Sequence, residues 1–228
     1  MLCHKLETPT YFKTDTLNTY MTNNPYQERT SILTKITSYK PFTTDEAVMK
    51  QHLITFIQDN PDCFKRSLEI GHVTGSGWII NQHYDHALLT HHGKLNKWFQ
   101  LGGHSDGDPD TFAVALREAQ EESGLSSLKA LSQSIFDIDI HPIPQKEAEP
   151  DHLHYDIRFL FTADINEPLQ ISSESQDLQW VKLEAIEQLN SSDSITRMVA
   201  KTKLLQKNKT INIPNQQTPK DHPTLEHL

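Results

Sequence analysis

The chain contains little cysteine, little glycine and no long apolar run. Only 2 of its 228 residues are cysteines and 8 are glycines. Neither Cys3 nor Cys63 lies in a CxxC or Cys/His zinc motif, so the sequence predicts neither a disulfide scaffold nor a cysteine-based zinc site. No segment approaches the roughly 18 apolar residues that a membrane-spanning helix requires, so we expect no membrane partner.

Positive charge is scarce as well. Lys and Arg number 21 against 30 Asp and Glu, which gives a formal net charge of −9. Affinity for the phosphate backbone of nucleic acids requires clustered cations, so nucleic acid is not expected as a partner. An N-terminus without the apolar segment of a signal peptide, together with unpaired thiols, predicts a cytoplasmic protein.

The pattern of apolar residues divides the chain into three parts. Residues 1–65 form an N-terminal extension with two amphipathic helices, the second of which begins with a capping box of Thr43 and Glu46. Residues 66–206 form one domain, and residues 207–228 form a flexible polar tail.

Within the domain, short apolar runs bounded by turn residues predict strands, and two segments have helical periodicity. The strands are expected at 73–80, 87–90, 98–101, 135–140, 153–161 and 178–183, and the helices at 109–123 and about 195–205. This arrangement predicts an α/β fold, namely an α/β/α sandwich with a mixed sheet.

The helix at 109–123 carries the chemically informative residues. Asp108 is its predicted N-cap, Pro109 its first residue and Gly124 its C-terminal stop. Three carboxylates, those of Glu118, Glu121 and Glu122, follow the spacing i, i+3 and i+4, which places them on one side of the helix. Such a face is either a solvated acidic surface or a site for a hard cation such as Mg²⁺.

The surrounding residues favour the cation site, because the whole segment resembles the Nudix box, G-x5-E-x7-R-E-U-x-E-E-x-G-U, where U is aliphatic. The positions of that motif are occupied by Gly103, Arg117, Glu118, Ala119, Glu121, Glu122, Gly124 and Leu125. The resemblance implies the Nudix fold and a hydrolase that cleaves nucleoside diphosphates linked to another moiety.

The resemblance also implies roles for individual residues. Glu118, Glu121, Glu122 and the Gly103 carbonyl would bind Mg²⁺ or Mn²⁺. Glu118, Glu121 and Arg117 would be the catalytic residues, and one of these carboxylates would help to deprotonate the attacking water. The sequence departs from the motif at one position, because Pro109 stands where the family has its first glutamate, and Asp108 or Asp110 is the candidate replacement.

Polar residues that occupy no fixed position of the motif supply candidates for substrate binding: His104, Arg158, His154 and Lys97. Two predicted strands place Asp137 and Asp139 on one polar face and His154 and Arg158 on another. These faces are either solvated or bind substrate or metal. Most of the other histidines are expected to be surface or hydrogen-bonded residues. An acidic loop containing Glu147, Glu149 and Asp151 is either an exposed loop or the source of a catalytic base.

The sequence therefore predicts a metal-dependent pyrophosphohydrolase acting by water attack on a small nucleoside-diphosphate derivative. The alternative is a non-catalytic Nudix-like sensor of a nucleotide or metabolite, which Pro109 motivates. A diphosphate isomerase is disfavoured because no cysteine lies near the motif, and messenger decapping is disfavoured by the net negative charge. A homodimer is left open.

Overall fold

The computed structural model describes residues 25–92, 96–145, 150–171 and 175–211. The elements in chain order are α1 (Pro25–Ser38), α2 (Thr44–Asp59), β1 (Gly71–Asn81), β2 (His86–His92), β3 (Lys97–Phe99), β4 (Leu101–His104), α3 (Thr111–Ser123), β5 (Lys129–Ile143), β6 (His152–Ala163), β7 (Ser175–Lys182), α4 (Ile186–Leu189) and α5 (Asp193–Ile211). No helix in these described ranges is long and apolar enough to cross a membrane.

The strands form one mixed sheet, as predicted. Five of them lie in the order β3-β2-β1-β6-β5, and β4 and β7 pair with β1 and β2, respectively. The β1–β6 pair is parallel, with Gly71 opposite Leu153 and Asn81 opposite Ala163. The other pairs are antiparallel. Because β1 lies at the centre, its two faces determine what each layer of helices covers.

The prediction of one strand over 98–101 is wrong. The segment is divided at Gln100 into β3, which pairs with β2, and β4, which pairs with β1. A single straight strand cannot hydrogen-bond to both partners at this place, so the chain changes neighbour at Gln100. This change brings Gly102 and Gly103 alongside the centre of the sheet.

Helices cover both faces of the sheet, which confirms the α/β/α sandwich. Residues that alternate along β1 and β6 point to opposite faces. Ile79 and Phe159 belong to the core shared with α1, α2 and α3, whereas Trp78 and Leu160 belong to the core shared with α4 and α5. All four of these side chains are buried.

The N-terminal helices pack onto the domain through a buried ion pair. Thr43 is the N-cap of α2 and accepts the backbone N–H of Glu46, as predicted. The Glu46 carboxylate does not complete the capping box, because it accepts the backbone N–H of Phe42 and bonds to Lys201 of α5 at 2.6 Å. Helix α5 itself continues to Ile211, five residues into the segment predicted as tail; the remainder of that segment lies outside the described residues.

Candidate active site

Helix α3 presents its acidic residues towards β4 because its apolar face is fixed against β1. Val114, Ala115 and Ala119 are fully buried. Gly75 of β1 permits this close packing, since a Cβ there would lie 2.7 Å from the Thr111 carbonyl oxygen. The glutamates therefore lie on the side of the helix that adjoins the glycines of β4.

The ends of α3 correct one prediction and confirm another. The N-cap is Asp110, whose carboxylate accepts the backbone N–H of Ala113 at 3.2 Å, so the helix begins two residues later than predicted. Asp108 accepts the N–H of Asp110 in the preceding turn, and Pro109 lies outside the helix. Gly124 ends the helix with a left-handed backbone, φ +70°, as expected of a C-terminal stop.

Two of the three glutamates contact successive residues of β4. The Gly102 N–H donates to Glu122 at 2.9 Å. Gly103 lies directly against Glu118, since a Cβ at residue 103 would approach the Glu118 carboxylate more closely than 3.0 Å. The glycine at this position of the motif therefore leaves room for a carboxylate beside the backbone.

Burial makes Glu118 a perturbed carboxyl group. Desolvation raises its pKa, an N–H of Arg117 that donates to Glu118 at 3.1 Å opposes this rise, and the nearby charges of Glu121 and Asp106 add to it. Glu118 therefore lies in a partly buried site where negative charge accumulates. A cation at this position would relieve the repulsion.

The three carboxylates do not converge on one point. Glu121 is exposed, whereas Glu118 and Glu122 are partly buried. In the described part of the chain, a single group of three residues of the His, Cys, Asp or Glu type has its ligand atoms within 4.8 Å of one another, and it consists of histidines.

This histidine cluster was not predicted. Its five rings belong to β1, β4, β5 and β6, with centroid separations of 4.7 to 5.6 Å between contacting pairs: His72, His104, His141, His152 and His154. Two candidates for substrate binding, His104 and His154, are therefore brought together. His72 is an exception to what we expected of most of the other histidines, because it is 1% exposed and neither ring nitrogen has a hydrogen-bond partner among the described residues.

Two imidazoles of this cluster, those of His72 and His154, are held in the neutral form. Burial, followed by the nearby charges of His104 and His152, lowers the pKa of His72 to about 4. Burial and the neighbouring imidazoles likewise lower the pKa of His154 to about 2. Near neutral pH these rings offer lone pairs.

Arg158 lies in a buried ionic cluster. It is 2% exposed and its guanidinium bonds to Asp156 at 2.7 Å, and to Asp137 and Asp139 at 3.1 Å each. The two polar strand faces pair, and around Asp137 and Arg158 they are buried, because Arg197 and Lys201 of α5 donate to Asp137 there. The prediction that Arg158 binds substrate is therefore not supported, since three carboxylates already occupy its guanidinium.

Of the remaining candidates, the structure describes Lys97 and Asp151. Lys97 is exposed at the start of β3, on an edge strand of the sheet. Asp151 is exposed just before β6, and Glu147 and Glu149 lie outside the described residues.

Comparison with solved structures finds Nudix hydrolases. A C. elegans Ap4A hydrolase is 17% identical with a TM-score of 0.46, covering 60% of this chain and 98% of that one. A NUDIX-family hydrolase from Clostridium perfringens is 24% identical with a TM-score of 0.43, covering 59% and 97%. The MutT protein from Methanosarcina mazei Go1 is 19% identical with a TM-score of 0.42, covering 61% and 98%. No curated protein matches the sequence.

The family is shown by a sequence model. The model of the NUDIX domain matches residues 72–201, a stretch that includes β4, α3 and the histidine cluster. This match spans more than half of the 228 residues. The chain therefore belongs to the Nudix family.

Proposed function

We propose that this chain is a metal-dependent hydrolase that cleaves the diphosphate linkage of a small nucleoside-diphosphate derivative by attack of water on phosphorus. The observation that supports this proposal is the contact of Glu118 and Glu122 with Gly103 and Gly102. This contact places acidic side chains of α3 beside two glycines of β4, where no side chain of β4 intervenes.

We propose that Glu118, Glu121, Glu122 and the carbonyl of Gly103 hold Mg²⁺ or Mn²⁺. Carboxylate and carbonyl oxygens are the ligands that hard cations prefer. The accumulation of negative charge around Glu118 fits a cation of this kind. When bound, such an ion neutralises the diphosphate and lowers the pKa of a coordinated water.

The side chains of this protein accept a proton, orient a carboxylate and contact the substrate. Glu118 or Glu121 accepts the proton of the attacking water. Arg117 is a positioning residue, because its N–H donates to one oxygen of Glu118 while the other oxygen lies next to Gly103. His104 directly follows Gly103 and is the candidate for contact with a phosphate, and Lys97 is a candidate for a second contact from the sheet edge.

A turnover panel with Mg²⁺ or Mn²⁺ tests the proposal. The substrates are nucleotide sugars, ADP-ribose, dinucleoside polyphosphates, coenzyme A, NAD and nucleoside triphosphates. We expect one class to be hydrolysed and Glu121→Gln to lower turnover by about 100-fold or more with the fold intact. The matched control is Glu187→Gln, an exposed glutamate of α4, which should retain full turnover.

Two outcomes would contradict the proposal. Equal turnover by the Glu121→Gln and Glu187→Gln variants would contradict the proposed role of Glu121 in metal binding and proton transfer. Tight ligand binding without product under either metal ion would instead support the sensor, in which Pro109 in place of the first glutamate accompanies loss of catalysis.

A further inference from the structure

Three histidines converge on one face of the sheet, the face on which Trp78 and Leu160 pack against α5. His72 and His154 are register partners in the parallel β1–β6 pair, and His152 lies two residues before His154, so all three share one face. Their ligand nitrogens lie within 4.8 Å of one another. The nearest ring pair, His72 and His154, has centroids 4.7 Å apart.

These imidazoles carry nitrogens that the fold does not use. His72 and His152 are 1% and 8% exposed. Both ring nitrogens of His72, and Nε2 of both His152 and His154, are buried without a hydrogen-bond partner among the residues that the structure describes. A buried polar group that lacks a hydrogen-bond partner costs free energy of folding. A ligand bound at this place would satisfy several of these ring nitrogens at once, which explains why so many unpaired nitrogens lie together.

The backbone orients one ring towards the cluster. Nδ1 of His152 lies 2.9 Å from the carbonyl oxygen of Pro150, which accepts and therefore fixes the proton on Nδ1. Nε2 of His152 is then the atom with the lone pair. A histidine whose other nitrogen donates to a backbone carbonyl is the usual arrangement of a metal ligand.

We propose that His72, His152 and His154 form a second metal site, for a transition-metal ion that prefers nitrogen ligands, with Zn²⁺ as its representative. Three imidazoles suit Zn²⁺, Co²⁺ or Ni²⁺ and not Mg²⁺, which selects oxygen. Tetrahedral zinc geometry requires nitrogens about 3.3 Å apart, so binding would draw together nitrogens that now lie within 4.8 Å of one another. The fourth position is left for water or another oxygen ligand.

The site is separate from the carboxylates of α3 but near them. His104 follows Gly103, and its ring centroid lies 5.0 Å from those of His72 and His154. The ion would join β1 to β6. It binds the folded chain only, so it also stabilises the fold.

Metal titration of the full chain tests this site. Chelator-treated protein is titrated with Zn²⁺ in excess Mg²⁺, and Co²⁺ is used as a spectroscopic probe. We expect one Zn²⁺ per chain that Mg²⁺ does not displace, a tetrahedral Co²⁺ spectrum, and a rise in Tm on binding. His72→Gln and His154→Gln should each weaken Zn²⁺ binding by about tenfold or more.

Two control variants separate this site from its alternatives. His83→Gln changes an exposed histidine outside the cluster and should leave Zn²⁺ binding unchanged. Glu121→Gln should also leave it unchanged, whatever its effect on turnover, so failure of the hydrolase proposal does not affect this test. Zn²⁺ binding that is lost in Glu121→Gln but retained in His72→Gln and His154→Gln would overturn the proposal.

X-ray absorption of the Zn²⁺-loaded wild-type chain requires no variant and covers the case in which a buried substitution prevents folding. Imidazole scattering around the ion is the expected result. A shell made of oxygen alone, or Zn²⁺ that excess Mg²⁺ removes, would overturn the site.

Discussion

Arg158 of β6 and Asp137 of β5 form a buried ion pair with a nitrogen–oxygen distance of 3.1 Å, between side chains that are 3% and 0% exposed. The pair belongs to a larger ionic cluster that joins α2, β5, β6 and α5. Its other members are Glu46, Asp139, Asp156, Arg197 and Lys201. The three cations and four carboxylates of this cluster hold the layers of the sandwich in register.

Loss of Arg158 should destabilise the fold. Arg158→Met removes the guanidinium and leaves three buried carboxylates without that partner, a change that we expect to cost about 3–5 kcal/mol. Arg66→Met is the matched control, because Arg66 pairs with Asp106 where both side chains are more than half exposed, and such pairs contribute about 0–1 kcal/mol. Urea unfolding of both variants measures the difference. Equal losses would mean that the cluster contributes no more than a surface pair.

The same cluster should make stability depend on pH at acid values. Burial alone would raise the pKa of Asp139, but Arg158 and His141 hold it below its ordinary value of 3.8. The folded chain therefore binds fewer protons than the unfolded chain in this range. Its stabilising contribution is complete above the ordinary value and is lost as the pH falls towards the lowered pKa.

Asp139→Asn should flatten this acid dependence. Urea midpoints at about pH 7, 5, 4 and 3 measure it. Asp59→Asn, at an exposed position at the end of α2, is the control and should follow the wild-type curve. A wild-type acid slope in Asp139→Asn would assign the dependence to other carboxylates.

The start of α3 gives a test of the corrected N-cap. Asp110→Ala removes the acceptor for the Ala113 N–H and should cost about 1 kcal/mol, whereas Asp110→Asn keeps a capping side chain and should cost less. Urea unfolding distinguishes them. If Asp108→Ala proves the more costly of the two alanine variants, the helix begins where the sequence first suggested.

The sequence predicted what is local and missed what depends on strand pairing. Helix α3, its stop at Gly124 and its glutamates lie in one contiguous segment, so spacing alone was informative. The mutual position of His72 and His154 depends on the parallel register of β1 with β6, which joins residues 82 positions apart. No single-sequence pattern encodes that register.

Arg158 shows the same limit of sequence-based prediction, here for the burial of a polar residue. The alternation along β6 correctly placed His154, Asp156 and Arg158 on one polar face, but whether that face was solvated depended on another element. Helix α5, which follows about 30 residues later, supplies Arg197 and Lys201 and covers it. Polar residues that alternate in a strand therefore indicate which face they share and not what lies against it.

Gly103 and Gly102 allow the contact between β4 and α3 to be tested by adjacent substitutions. In Gly103→Ala the new Cβ overlaps only the end of the flexible Glu118 side chain, so the carboxylate moves while the backbone stays. In Gly102→Ala it overlaps the Cα of Ser76, which is backbone in the neighbouring strand. The first change should therefore affect the site and the second should affect the fold.

We expect Gly103→Ala to lower turnover, and Mn²⁺ affinity measured by electron paramagnetic resonance, by about tenfold or more, because small displacements of a catalytic group are costly. Its urea midpoint should stay near that of the wild type. Gly102→Ala should lower the urea midpoint markedly. If Gly103→Ala retains both turnover and Mn²⁺ affinity, the Glu118 carboxylate does not act where it lies against Gly103, and the proposed metal site would have to be centred on Glu121 and Glu122.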